Sequence, residues 1–443
     1  MMNLFNIASQ GAQAAQNQLS VSAGNIANQQ TAGYSRQQIS QSASVTGGVG
    51  NGVNTSDPSR ITDQNLNQTL WRTQSSVGYY QSLNSWGTSL EKVISSSATQ
   101  PATLLTGFFN SLSALTAQPD STAYRQQLIS SATSLANGLS QTSDTLADQQ
   151  ASVTQQQQST VQQVNQLTSQ IADLNQQIAR LGPGSDSNSL QDQRDQQVKT
   201  LSGLMEIKVE KTASGSYTLT SAGATLVEDK QAAIISMQPA SNTAAPLQIS
   251  FQQRTSTLSS AVGGQLGALY DYQQQVLSPL QNQVSTLMQS VSSGVNTTLA
   301  KGYDLQGNSG AALFAFSTSS NGVAHLATTA LTADQLGLSL QKTAPATGDN
   351  LTALLSLQKT NGLTDQAEAI TSDLAMANSQ SSNQLSVATA VNQQWQQQRD
   401  NFSAVNKDEE AVKLQTYLQS YQANMKVMSV GNQLFSELLT IFS

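Results

Sequence analysis

The sequence has no cysteine, a single histidine and few charged residues. Without cysteine the chain can form no disulfide, no cysteine nucleophile and no iron–sulfur cluster, and one histidine excludes zinc sites that need cysteine or two histidines. Asp, Glu, Lys and Arg make up only 10% of the residues, whereas soluble proteins usually contain about 25%. Uncharged Gln, Ser, Thr and Asn must therefore supply most of the polar surface.

Charge and hydropathy exclude further classes of function. The formal net charge of -7 disfavours electrostatic binding to nucleic acid or to an anionic membrane surface. No run of apolar residues approaches 18, so we expect no membrane insertion. Residues 1–26 have neither a basic region nor an apolar signal core, so we expect any export to proceed without a conventional signal peptide. The length of 443 residues is enough for two to four domains.

Both ends of the sequence carry the apolar spacing of helices that pack on other helices. In the C-terminal segment the spacing alternates between three and four, which is a heptad pattern. Its positions are Ala411, Leu414, Leu418, Tyr421, Met425, Met428, Asn432, Phe435, Leu439 and Phe442. A softer N-terminal stripe consists of Leu4, Ala8, Gly11, Ala15, Leu19, Ser22 and Ile26. We expect both segments to be loosely ordered in the monomer and to fold against each other and against neighbouring subunits.

The middle of the chain is predicted to be helical with one β insert. A Gln-rich segment with a third apolar seam from Val164 to Leu181 ends at Gly182-Pro183-Gly184, which terminates a helix. Further helices are predicted over 190–204, 266–295 and 369–405. In 206–258, apolar and polar residues alternate between turns at Gly215 and Gly223, which predicts strands.

The predicted fold class is therefore mainly α. Paired N- and C-terminal segments form a long helical, coiled-coil rod together with a helical bundle, and a small β domain is inserted. Three domains are expected: a terminal coiled-coil domain, a helical rod domain with a loop and strand region near 302–348, and the β insert. Their boundaries are 1–45 with 404–443, then 46–205 with 259–403, and 206–258.

No pattern in the sequence indicates a catalytic, cofactor or metal site. His325 has no acid near it in the sequence and is predicted to lie in a strand. The acidic run 408–410 lacks the spacing of a calcium loop, so we expect it to stabilise a helix N-terminus capped by Asn406. The glycine-rich segment 302–310 lacks the Lys and Ser/Thr of a phosphate loop and is predicted to be a turn. We therefore expect no enzyme activity, cofactor or metal.

Two segments resemble signatures of flagellar axial proteins. Residues 24–37 read Gly-Asn-Ile-Ala-Asn-Gln-Gln-Thr-Ala-Gly-Tyr-Ser-Arg-Gln, which resembles the N-terminal motif shared by rod, hook and hook-associated proteins. The ending Tyr34-Ser35-Arg36 points to the hook-associated protein 1 (FlgK) family, because hook proteins usually end the motif with Phe-Lys. Residues 405–423 look like the C-terminal signature of that family. Ala32, Ala404 and Lys407 depart from its usual proline, glycine and leucine.

Interior segments extend the resemblance over nearly the whole chain. Residues 190–196 resemble an Asp-x-Arg-Asp element of the FlgK family, residues 295–296 with 302–310 resemble its Asn- and Gly-rich element, and residues 348–355 resemble a third element. The β insert, 206–258, carries no such signature.

The resemblance implies a structural protein at the junction between the flagellar hook and the filament, outside the cell. Implied partners are the hook protein, hook-associated protein 3, further copies in a helical ring, and a cytoplasmic export chaperone of the FlgN kind. Export would occur unfolded through the flagellar type III apparatus, without a cleaved signal. The terminal helices would form an inner tube, and the β insert would face solvent.

Residues of the N-terminal motif are expected to form the turn where the inner helix passes outward. Together with the helical stripes and the acidic helix start, they make up the predicted assembly surface. Its members are Leu4, Ala8, Gly11, Ala15, Leu19, Asn25, Ile26, Asn28, Thr31, Gly33, Tyr34, Arg36, Asn406, Asp408, Glu409, Glu410, Leu414, Leu418, Tyr421, Met425, Met428, Phe435, Leu439 and Phe442.

Two alternatives to a junction protein stay open from the sequence. One is another flagellar axial subunit, namely a hook protein, a rod protein or hook-associated protein 3, which the Tyr34-Ser35-Arg36 ending and the long Gln-rich helix disfavour. The other is a carboxylate-dependent hydrolase, which would need two convergent acids in a cleft.

Overall fold

The computed structural model describes residues 2–46, 49–182, 184–238, 245–344 and 346–441. Within these ranges the chain forms ten α-helices. They are α1 (Met2–Ala27), α2 (Gln64–Ile94), α3 (Pro101–Leu115), α4 (Thr122–Leu181), α5 (Ser185–Leu204), α6 (Gly264–Asp271), α7 (Ser278–Ala300), α8 (Asn350–Thr360), α9 (Leu363–Ser403) and α10 (Lys407–Ile441). A π-helical segment, Tyr272–Leu277, joins α6 to α7, and a 3-10 turn covers Ala333–Gln335.

The strands of the described residues form five small antiparallel sheets. In chain order the strands are β1 (Gln37–Gln38), β2 (Gln41–Thr46), β3 (Val49–Thr55), β4 (Ser59–Arg60), β5 (Lys208–Lys211), β6 (Tyr217–Ser221), β7 (Ala224–Glu228), β8 (Gln231–Ala232), β9 (Ile234–Met237), β10 (Leu247–Phe251), β11 (Arg254–Leu258), β12 (Phe314–Thr318) and β13 (Ala324–Thr328). The sheet orders are β1-β4, β2-β3, β5-β6-β7-β8, β11-β10-β9 and β12-β13.

Helix α4, 60 residues long, connects the two hydrophobic cores. Its first half packs with α3, α7 and β13. These elements share a core with α8 and α9 around residues such as Phe108, Leu135 and Leu287. Its second half packs with α5 and the strands of 206–258 around Ile171 and Leu219. The apolar seam faces inward because it follows the helical period, and the intervening Gln residues lie mainly on the solvent side. Gly182 ends the helix with a φ of +73°.

The predicted fold class is confirmed, since long helices dominate and the sheets are small. All seven strands β5–β11 lie between residues 208 and 258, and the segment 302–348 contains the hairpin β12–β13. The proposed domain boundary after residue 45 falls inside the β2–β3 hairpin. We therefore propose to move this boundary to the end of α1. Helix α9 begins earlier than predicted, at Leu363.

Two sequence arguments about chemistry can be compared with the structure. His325 lies in β13 as predicted. No acid is near it in the sequence, but in the fold its Nε2 lies 3.8 Å from Oδ1 of Asp144 on the neighbouring α4. Both side chains are well exposed, so this pair contributes little. The segment 302–310 is a turn as predicted, in which Asp304 Oδ1 accepts the backbone N–H groups of Gln306 and Asn308. No helix among the described residues combines the length and apolar content needed to cross a bilayer.

Candidate assembly site

The terminal helices α1 and α10 pack side by side in antiparallel directions. Their register is fixed by three pairs of facing residues: Asn25 with Glu410, Gly11 with Asn424, and Phe5 with Gly431. Small side chains allow the close approach, because a Cβ atom on Gly11 would lie 2.6 Å from Oδ1 of Asn424. Four alanines of α1 are also buried: Ala8, Ala12, Ala14 and Ala15. Among the described elements, α1 is the helix on which α10 packs.

The face of α10 that meets α1 differs from the predicted heptad seam. Its buried and half-buried positions are Glu410, Lys413, Leu414, Tyr417, Tyr421, Asn424, Met428 and Gly431. Leu414, Tyr421 and Met428 belong to the prediction, whereas Leu418 and Met425 are exposed on the flank of this face. The spacing of apolar residues does not locate this face, because polar Glu410 and Asn424 take interface positions opposite Asn25 and Gly11.

Exposed apolar side chains remain on the rest of α10. Phe435 is half exposed because it lies beyond Gly431, which already faces the first turns of α1 through Phe5. Further exposed residues on the side away from α1 were not predicted: Val412, Val427, Val430, Leu434 and Leu438. Of the predicted assembly residues, Phe442 lies outside the described residues, as does the side chain of Leu439. These side chains leave an exposed apolar surface on α10.

Asn25 is the centre of the contact between α1, α10 and the chain that leaves α1. Its Nδ2 donates to the carbonyl of Gln37 at 2.9 Å and to Oε2 of Glu410 at 3.2 Å. Its Oδ1 accepts from the hydroxyl of Tyr34 at 2.9 Å and from the N–H of Gln37 at 3.0 Å. The side chain is fully buried, and all four of its hydrogen-bonding positions are used. We call residues 25–37 together with 403–410 the elbow.

The turn that follows α1 is formed by the predicted motif residues. Asn28 Nδ2 donates to the carbonyl of Gly24 at 2.9 Å, and the hydroxyl of Thr31 donates to Oδ1 of Asn28 at 3.2 Å. Gly33 has a φ of +82°, a conformation that side chains with a Cβ rarely adopt. These contacts reverse the direction of the chain. The strand β1 therefore lies directly beside α1.

Arg36 connects this turn to the C-terminal segment. Its N–H donates to the carbonyl of Ser403 at 2.8 Å, and its Nη1 lies 3.2 Å from Oε2 of Glu409. The predicted cap at the start of α10 is confirmed, because Asn406 Oδ1 accepts from the N–H of Asp408 at 3.0 Å and from that of Glu409 at 3.4 Å. The two chain segments of the elbow are therefore bonded together through backbone and side chains.

Glu410 is a buried carboxylate with several donors. Oε1 accepts from Nζ of Lys413 at 2.7 Å, and Oε2 accepts from Asn25. Burial alone would raise the pKa of Glu410, but the hydrogen bonds from Lys413, Asn25 and Ser22 outweigh it and leave this pKa lowered. Burial, together with the nearby carboxylates of Asp192 and Glu410, raises the pKa of Tyr34 to about 12. At neutral pH, Glu410 is thus charged and Tyr34 is a hydrogen-bond donor.

A second buried cluster holds the elbow against the helical body, and sequence reasoning missed it. Arg60 on β4 pairs with two acids of α5: its Nε lies 2.9 Å from Oδ1 of Asp192, and its Nη2 contacts Asp195. Asp192 Oδ2 accepts the N–H of Ser35 at 3.2 Å, which brings in the elbow. Burial raises the pKa of Asp192 and the Arg60 charge opposes that rise.

The same cluster extends into the β insert. The hydroxyl of Tyr217 donates to Oδ1 of Asp195 at 2.8 Å, and the guanidinium carbon of Arg194 lies 3.5 Å from the Tyr217 ring centroid. Burial raises the pKa of Tyr217 above its ordinary range. The Asp-x-Arg-Asp element was visible in the sequence, but its partners Arg60 and Tyr217 were not, because no local spacing connects them.

The remaining predicted residues divide by exposure. Leu19, Ile26, Asn28, Gly33, Tyr34 and Arg36 are half-buried, and Leu4, Thr31, Asn406, Asp408 and Glu409 are exposed. The elbow therefore brings together the predicted polar residues, while the exposed apolar residues of α10 stay apart from it. In the ranges that the structure describes, no three His, Asp or Glu side chains converge to form a potential metal site.

Comparison with known proteins identifies the family. A family model described as the flagellar hook-associated protein FlgK helical domain matches residues 88–314, which is more than half of the chain. The chain belongs to the FlgK family. A second family model, described as the C-terminal part of the flagellar basal body rod FlgEFG proteins, matches residues 396–441 and so covers α10 of this FlgK-family chain.

Individual FlgK relatives agree with this assignment. Flagellar hook-associated protein 1 of Escherichia coli K12 is 27% identical over 332 residues, covering 71% of this chain and 60% of the relative. The protein of the same name from Bacillus subtilis is 26% identical over 222 residues, covering 47% of this chain and 44% of the relative. The match thus spans less than two thirds of the length of these relatives.

One solved structure is also similar. The flagellar hook junction protein FlgK from Burkholderia pseudomallei is 30% identical, with a TM-score of 0.52, over 57% of this chain and 47% of that one. The shared fold is the mainly helical one described above.

Proposed function

We propose that this chain is a structural subunit of the junction between the flagellar hook and the filament. The observation that carries the proposal is the terminal helix pair of a FlgK-family chain, whose outer surface keeps an apolar face that no described element covers. Large exposed apolar patches typically mark interaction surfaces. The subunit lies outside the cell, in a helical ring with further copies, between the hook protein and hook-associated protein 3.

The three domains have different parts in this proposal. The α1–α10 pair, with the predicted assembly residues, forms the inner tube, the long helices form the rod, and the β insert faces solvent. A cytoplasmic chaperone of the FlgN kind binds the C-terminal region before export through the flagellar type III apparatus. The low charge and the absence of cysteine suit a chain that is exported unfolded and folds on arrival.

We further propose that the chain has no catalytic activity. A hydrolase would need two acids free to exchange protons in a cleft. Asp192 and Asp195, the two neighbouring acids of α5, are instead both engaged by Arg60 and by additional donors from Ser35 and Tyr217. This arrangement supports a structural role for the two acids, which connect α5 to the elbow and to the β insert.

Apolar residues on the flank of α10 provide the test. The double variant Leu418→Ser with Met425→Ser removes two exposed apolar side chains, and the matched control Gln415→Ser with Gln419→Ser changes two exposed polar ones on the same helix. In a strain lacking the native protein, we expect the first variant to give hooks without filaments and loss of motility, and the control to restore both. Electron microscopy of hook ends checks the result. Normal filaments with the first variant would contradict the proposed interface.

A strain that lacks the protein altogether tests the function itself. Hooks that still carry filaments in that strain would rule out a junction role whatever the variants do. Circular dichroism of the purified variants should match the parent, because the substituted side chains are exposed.

A further inference from the structure

A cleft beside the elbow is lined by two cations, two acids and several apolar residues. Its volume is about 390 Å³, and its walls come from residues 29–34 of the elbow, from α2, from α5 and from the end of α9. The apolar part includes Leu70 and Trp71, which are almost completely buried. The cationic part is formed by Lys199 and Arg399. The volume is within the range of sites that hold small ligands or inserted side chains.

Lys199 lacks an acidic partner in this cleft. Its Nζ donates to the neutral Oε1 of Gln396 at 3.0 Å, and within the described ranges it takes part in no salt bridge. Burial and the nearby Arg399 lower the pKa of Lys199, while Asp400 opposes this effect. An anion that enters the cleft would therefore stabilise the charged form of Lys199.

The other charges around the cleft are already balanced. Arg399 pairs with Asp400 at 3.0 Å, and its Nη2 reaches the carbonyl of Gly33 at only 3.4 Å. Asp400 also accepts from Nε2 of Gln396 at 3.0 Å. Asp195, at the edge of the cleft, is bound by Arg60 and Tyr217. The cleft therefore has one uncompensated positive charge, that of Lys199, on a chain whose net charge is -7.

We propose that this cleft binds a carboxylate, with Lys199 as its counter-ion and Arg399 as a second donor. A single carboxylate matches the single unpaired charge, and charge-assisted hydrogen bonds to it are stronger than those between neutral groups. The apolar wall fits the short aliphatic stem to which a carboxylate is attached. Occupancy would link α5, α9 and the elbow through one group, because Arg399 also contacts Gly33.

Two sources could supply this carboxylate. One is a free carboxylic acid, and the other is an Asp or Glu side chain of a neighbouring subunit. The second source rests on the proposed junction function, whereas the site itself does not.

Lysine acylation of the purified full chain tests the site. Amine-reactive acetylation proceeds through the neutral amine, so at a pH below the lysine pKa each unit of increase in that pKa slows labelling about tenfold. We compare labelling in sodium acetate with labelling in sodium chloride of equal ionic strength, by peptide mass spectrometry. Acetate is expected to slow labelling of Lys199 about tenfold and to leave Lys359, which is exposed on α8 and outside the cleft, unchanged. Arg399→Gln should weaken the acetate effect.

The second arm uses protein assembled at hook ends. If acetate has no effect, but assembly protects Lys199 more than Lys359 and assembly survives Lys199→Arg but not Lys199→Gln, the carboxylate belongs to a neighbouring subunit. Lys199 labelling that is unaffected both by acetate and by assembly overturns the site. If acetate has no effect, assembly that survives Lys199→Gln as well as Lys199→Arg also overturns it, since mere occlusion does not require charge. The acetate arm needs no assembly, so its outcome is independent of the junction function.

Discussion

Asn25 and Glu410, 385 positions apart in the sequence, meet at 3.2 Å in a buried hydrogen bond between the two terminal helices. The contact joins the last turn of α1 to the first turn of α10 and sets their register.

Removing the Asn25 side chain should loosen both terminal helices. In Asn25→Ala the buried carboxylate of Glu410 and the half-buried hydroxyl of Tyr34 and backbone of Gln37 each lose a partner. We expect a loss of about 2–4 kcal/mol in the local stability of the pair. Hydrogen exchange should become faster in α1 and α10 and stay unchanged in α4. Gln16→Ala, an exposed site on α1, is the control, and equal exchange in both variants would contradict the role of Asn25.

Acid should weaken the same contact through Glu410. Because folding lowers the pKa of Glu410, its ionised form stabilises the folded state above the ordinary glutamate pKa of about 4.3. This stabilisation is lost as the pH falls from that value through the lowered pKa. Hydrogen exchange of α10, compared at neutral and acidic pH, measures the change. In Glu410→Gln the part of this pH dependence that comes from residue 410 should be absent, and an unchanged profile would show that other groups cause it.

Breaking the Arg60 cluster should destabilise the body next to the elbow. Arg60→Met leaves Asp192 and Asp195 buried without their counter-ion, and removal of one partner from a buried ion pair typically costs about 3–5 kcal/mol. Denaturant unfolding should show this loss, and the triple variant with Asp192→Asn and Asp195→Asn should recover part of it. Lys208→Met removes an exposed pair with Glu210 and serves as the control. A midpoint unchanged by Arg60→Met would contradict this prediction.

Two mid-helix glycines should respond to alanine in opposite directions. A Cβ on Gly78 of α2 would lie 2.1 Å from the backbone oxygen of Gly203, which cannot move without shifting α5, so Gly78→Ala should destabilise by about 1–3 kcal/mol. A Cβ on Gly107 of α3 meets nothing within 4 Å, so Gly107→Ala should stabilise by about 0.5–1 kcal/mol. Thermal unfolding measures both, and equal signs would contradict the packing of α2 on α5.

Much of the fold follows from local patterns in the sequence. The strands of 206–258, the end of α4 at Gly182 and the cap at Asn406 are set by periodicity and by turn or cap chemistry, which act over a few residues. The rotation of α10 could not be obtained this way. The rotation of α10 depends on the face of α1 that it meets. At that contact, the hydrogen bond between Asn25 and Glu410 places polar residues where the apolar spacing predicts apolar ones.

The site shows the same division between local and long-range information. The turn residues from Asn28 to Arg36 were identified by their motif, but the network that uses them was not. Arg60 and Tyr217 reach Asp195 from strands that lie far away in sequence, and no spacing along the chain indicates such a meeting. Lys199 carries no signal either, because only its neighbours in space reveal a missing acid.

The hydrogen bond from the N–H of Arg36 to the carbonyl of Ser403 places the departure and the return of the chain side by side. The residues between Arg36 and Ser403 therefore form one long segment whose two ends lie next to each other beside the α1–α10 pair. Changes in the length of this segment that keep Arg60, Asp192 and Asp195 leave the contacts between the segment and the elbow in place. Because residues 36 and 403 are adjacent, they are suitable attachment points for a foreign domain in protein engineering.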